Sequence, residues 1–239
     1  MHSQYVFTMF TPAEVEKIPS LSTVTQRDWR RRQFLPVVEG HARFDAFAVA
    51  EIWVMKMLSD RGVGPQASKE VAGLCASGIL WYALQSVDAY EGDHHKTFGW
   101  DPEELRPKEN PEDIALLKEL CENAGRELPE MVDFTWGAKA RWLAKQIFRV
   151  RGLPRVIPAN YFIWWADGSH VWHGSLDEAF SSTSDELKYG GPVIVLDLNA
   201  LATQLSARAG RTLVHVEFPV DDEGKLIPPI QYGEAVPLA

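Results

Sequence analysis

Residues 24–36, VTQRDWRRRQFLP, set Arg27, Arg30, Arg31 and Arg32 around a tryptophan. The planar fork of arginine can bond guanine O6 and N7 together or grip a phosphate, so such a cluster can meet a nucleic acid. The chain as a whole argues the other way, because its formal net charge is −9 over 239 residues and phosphate contacts need cations. The charge is not spread evenly. Residues 22–44 hold Arg27, Arg30, Arg31, Arg32 and Arg43 against Asp28 and Glu39, whereas residues 83–136 hold 14 acids and 5 bases. This asymmetry predicts a basic head and an acidic body with different partners.

The arginines need elements to position them. Thr11-Pro12-Ala13-Glu14 has the form of a capping box, with Pro suited to the first helical position, and Pro19 predicts that this short helix stops by Ile18. Ser22 and Thr23 can cap a second helix, in which Val24, Trp29 and Phe34 supply apolar contacts and Arg27, Arg30 and Arg31 share a face. Leu35-Pro36 ends it. The following VVEGHARFD, with Gly40 at its centre, reads as a short hairpin, which would form a wing beside the helical pair.

In this order the pieces resemble the N-terminal DNA-binding domain of the MerR family of transcription regulators. The matching residues are Thr11, Glu14 and Val15; Ser22, Thr25, Arg27 and Trp29; Phe34-Leu35-Pro36; and Gly40, Arg43 and Phe44, within about the first 75 residues. Gln33 stands where the family carries glycine. The resemblance implies a recognition helix in the major groove of double-stranded DNA and a wing along the backbone. It implies base-edge roles for Thr25, Gln26 and Arg27, and phosphate contacts for Arg30, Arg31, Arg32, His41 and Arg43. It also implies a homodimer, formed by a helix from Pro65 to about Tyr90 with the apolar face Leu74, Ile79, Leu80, Tyr82, Leu84 and Val87. The other reading of that face is packing on the chain's own second half. An excisionase-like architectural DNA-binding protein shares the winged head.

The remaining sequence predicts a mainly α winged helix-turn-helix domain over residues 1–90, a linker over 91–112 and a mixed α+β domain over 113–239. FAVAEIWVMKMLSDRG reads as a helix closing on Gly62, and IALLKELCENAG and WGAKARWLAKQIFRVRG as amphipathic helices. ANYFIWWADGSHVWHG is a hairpin around Asp167-Gly168; LDEAFSS and ALATQLSARAG are helix candidates, and VIVLDLN and TLVHVEFPV strands. Trp164, Trp165 and Trp172 are candidates to line a small-molecule pocket, so the second domain is expected to take a small-molecule or protein effector.

No metal and no cofactor are expected. Cys75 and Cys121 stand apart and read as small buried apolar residues, and His170 and His173, three apart on a strand, face opposite sides. The other class to weigh is an enzyme with an α/β second domain, for which Asp197, His215 and Glu217 are the candidates. Nucleotide, phosphate, nucleophile-elbow and zinc-protease motifs are missing, and Asp197 also suits the cap of the next helix, so catalysis is not expected. With no apolar run near the roughly 18 residues of a membrane span and no signal-peptide pattern, a cytoplasmic protein is expected.

Overall fold

Local chemistry closes the first helices as the sequence predicts. In the computed structural model, which describes residues 4–35, 42–95, 131–153, 159–181 and 190–224 (the backbone alone at 95, 131–138 and 181), a strand β1 (Gln4–Phe7) leads to helix α1 (Pro12–Lys17). Thr11 caps α1 in a complete capping box with Glu14, and Ile18 ends it. Helix α2 (Thr23–Arg31) starts at Ser22, whose hydroxyl accepts from the Thr25 amide at 3.1 Å. It ends in a Schellman turn: the Gln33 amide donates to Arg30 at 3.0 Å and the Phe34 amide to Trp29 at 2.8 Å. Gln33 thereby adopts φ 63°, the left-handed region glycine favours.

The centre of the molecule is a pair of helices, α3 (Ala46–Ser59) and α4 (Pro65–Ala83). Each is apolar on more than one side, which suits a helix packed on several neighbours. Val49, Ile52, Val54, Met55 and Leu58 of α3 and Val71, Cys75, Ile79 and Leu80 of α4 are buried. Burial pushes the Cys75 thiol well above its ordinary value, so it is a small apolar core residue and not a reactive thiolate.

Downstream lie β2 (Tyr90–Gly92), α5 (Met131–Arg151), β3 (Tyr161–Trp165), β4 (His170–His173), α6 (Leu176–Ser181), β5 (Val193–Asp197), α7 (Leu198–Ala209) and β6 (Val214–Glu217). The fold is thus mixed α and β. Two three-stranded sheets form. In the first, β6 lies between β1, its antiparallel partner with Phe7 opposite Val214, and β2, its parallel partner with Gly92 opposite Val216. In the second, β3 is central, joined to β4 through the Asp167-Gly168 turn and antiparallel also to β5. The pairing of β1 and β2 with β6 unites residues from the expected first domain, linker and second domain in one sheet, and a single core cluster runs from Phe7 to Phe218.

The helix expected to reach Tyr90 stops at Ala83. Tyr90 instead pairs with Val214, and a long-range strand contact outweighs the helical pattern of the sequence. Ile79, Leu80 and Leu84 are fully buried in the chain's own core, and α4 packs against α7. The face expected for dimerisation is therefore largely covered within one chain. The expected helix over IALLKELCENAG, with Cys121, lies outside the described residues. Among the described residues no helix is long and apolar enough to cross a membrane.

A titration tests the α3–α4 packing. Burial raises the Glu51 carboxyl above its ordinary value, with Lys69 of α4 opposing the shift. A raised carboxyl favours the folded state below its unfolded value and loses that advantage as pH rises through the folded value. Glu51→Gln is thus expected to raise the melting temperature near pH 8 but not below about pH 4. Equal melting differences at both ends would mean that Glu51 is solvated.

Candidate nucleic-acid interface

The α1–α2 unit is held by its own polar groups. The Thr11 amide donates to Glu14 Oε2 at 2.6 Å, and this bond is the main cause that holds the Glu14 carboxyl below its ordinary value; Arg211 and Arg43 add to it. Gln26 crosses between the helices: its Nε2 donates to the carbonyls of Pro12 at 2.9 Å and Leu21 at 2.8 Å. Gln26 is 0% exposed, which corrects its expected place at a base edge. Its amide is the tie that sets the angle of the turn. Trp29, buried beside it on the same helical face, belongs to the core as well.

What α2 shows to solvent is a narrow stripe. Val24, Arg27 and Arg31 are exposed, with Asp28 half-buried between them, spacings that put all four on one side of the helix. Asp28 pairs with Arg31 at 2.6 Å and Arg32 at 3.7 Å, holding two guanidinium groups beside the stripe. Arg30 turns inward enough for its Nε to donate to the Gln26 carbonyl at 3.4 Å, and Arg32 lies over the Phe34 ring at 5.0 Å. Thr25 is half-buried and its hydroxyl shares a 2.8 Å hydrogen bond with Ser22, so it serves the helix cap.

Phe44 forms an antiparallel bridge with Phe10, bringing exposed Arg43 beside the start of α1. Residues 36–41, which include most of the expected wing and His41, lie outside the described residues. Lys69, which sequence reasoning did not single out, donates to the Gln33 carbonyl at 3.1 Å and adds a cation at the end of α2. No local pattern marks it, because it lies on α4, 36 residues from its partner.

The second half of the chain braces this unit. Arg208 of α7 donates to the Ile18 carbonyl at 2.9 Å and lies over the Trp53 ring at 5.1 Å. Arg211 donates to the Met9 carbonyl at 2.8 Å, pairs with Glu14 at 3.2 Å and covers the Phe10 ring at 4.7 Å. At the start of α3, Asp45 caps the Ala48 amide at 2.8 Å and pairs with Arg151, the last residue of α5. These contacts leave the α2 stripe clear while fixing the scaffold beneath it.

The three tryptophans singled out for a pocket do not all share one face of the sheet. Opposite Phe162 stands Trp172, and opposite Trp164 stands His170, so Trp164 and Trp172 share the sheet face that packs on the core. Trp165 points from the other face and is itself 9% exposed. Alternation along a strand already separates neighbours 164 and 165, a signal present in the sequence. His170 and His173 fall on opposite faces, as expected, and among the described residues no group of three metal-ligating side chains occurs.

Asp197 accepts from the Ala200 amide at 2.8 Å as the cap of α7, whereas His215, 3.4 Å from Glu91, and Glu217 lie in the other sheet. These three candidates for catalysis are thus divided between two sheets. Compared with known proteins, the chain matches no family model, no curated protein and no solved structure.

Proposed function

We propose that the chain is a sequence-specific, DNA-binding transcription regulator of MerR-like design, with α2 as its recognition helix. The observation that carries this reading is the exposed stripe of Val24, Arg27 and Arg31 on a helix whose opposite face is anchored by Gln26 and Trp29. With its side chains an α-helix is about 10–12 Å across, which fits the roughly 12 Å width of the major groove. Arg27, near the helix start, addresses a guanine edge; Arg31, Arg32 and Arg43 address phosphates. The bracing of α1 by Arg208 and Arg211 supports a second part of the proposal, that the C-terminal half relays an effector signal to the reading head.

Selection from a random duplex pool, followed by anisotropy titration at several salt concentrations, tests it. A defined site should emerge. Arg27→Ala should relax sequence preference at one base pair by about 1–3 kcal/mol, while Arg31→Ala should weaken binding to all duplexes and reduce the salt slope by about one. Unchanged binding by both variants, or no enrichment, would sink the reading.

A further inference from the structure

Val24 is 72% exposed, the most open of the large apolar side chains on the described surface, and it stands in the first turn of α2 within a stripe that is otherwise cationic or polar. Its presence there is not explained by the fold. It stands outside the core cluster, β-branched residues are poorer helix formers than the straight-chain ones, and the turn carries no acidic residue of the kind favoured near a helix N-terminus. On a helix entering a major groove, such a side chain has one natural counterpart. The C5-methyl of thymine is the apolar group that the groove presents, and it distinguishes thymine from cytosine and from purines.

We infer that Val24 is a specificity-determining residue that reads a thymine methyl. This rests on the proposed DNA-binding function and deepens it. Thr25 does not compete for the role, because its hydroxyl is held at 2.8 Å by Ser22 and its side chain is half-buried. Arg27 follows three residues later, about 4.5 Å along the helix axis, between one and two base-pair rises of about 3.4 Å. The site is expected to carry the thymine one or two steps from the guanine that Arg27 addresses. Contact between the methyl groups removes apolar surface from water without any covalent or proton-transfer step.

The test replaces each thymine of the selected duplex, one at a time, by deoxyuridine, which deletes only the methyl group. For the wild-type chain, one replacement should weaken binding about fourfold, the equivalent of one buried methyl. Val24→Ser should weaken binding to the thymine duplex by a similar factor and show no further loss with deoxyuridine at that position. Val24 is exposed, so the variant should keep the wild-type melting temperature. Enrichment of a site with no methyl-sensitive thymine, or a sensitivity that Val24→Ser leaves intact, overturns this inference and leaves the DNA-binding reading standing. No enrichment of any duplex overturns both.

Discussion

Gln26→Glu is expected to cost roughly 3–5 kcal/mol of folding stability at neutral pH, the loss that follows from leaving a charge buried without a partner. The side chain is 0% exposed and donates to two carbonyls, at 2.9 Å and 2.8 Å, while its Oε1 has no partner among the described residues. A glutamate of the same shape removes both donors and turns carboxylate oxygens toward two carbonyl oxygens. Burial would raise its folded pKa, so the loss should shrink as pH falls and the acid regains one donor. Gln26→Met, which removes the donors without adding charge, should cost about 1–3 kcal/mol. Denaturant titration at two pH values reads both. A Gln26→Glu loss under about 0.5 kcal/mol would show that the amide does not hold the α1–α2 turn.

Gly92→Ala should destabilise the chain by roughly 2–4 kcal/mol through positive-φ strain and a displaced strand. Gly92 has φ 81°, and a Cβ there would stand 2.4 Å from the Val216 carbonyl oxygen and 3.0 Å from His215 Cε1. The Val216 carbonyl is not free to yield, since it belongs to the central strand that joins β1 and β2, whereas the half-exposed His215 ring can move aside. Gly62 offers the control, with φ 89° and nothing within 4 Å of an added Cβ. Gly62→Ala carries only the backbone strain, about 1 kcal/mol. If both variants melt alike, the close approach at Gly92 is relieved without cost and the β2–β6 pairing is not a rigid joint.

Elements closed by neighbouring residues were legible in the sequence. The Thr11 box, the Ser22 and Asp197 caps, the Asp167-Gly168 hairpin and the ends of α3 and α7 rest on contacts within a few residues, which propensity and spacing can express. The buried position of Gln26 was partly legible too, since it shares the helical face of Trp29, but its glutamine identity spoke for a polar surface. Only the carbonyls of Pro12 and Leu21, exposed by the turn, make that polar side chain a core residue.

By itself the sequence determined the short α1–turn–α2 unit, the concentration of arginines on α2 and the alternation of helices and strands from α5 to β6, but neither β1 nor β2. Tertiary structure alone decided which of those arginines face solvent, that Arg208 and Arg211 brace α1 from about 190 and 200 residues away, and that residues 90–92 form a strand beside β6. The physical reason is range. Caps and turns are settled by groups a few bonds apart, whereas a parallel strand pair and the arginine braces gain their stability from carbonyls and apolar surfaces that approach only after the chain has closed loops more than a hundred residues long.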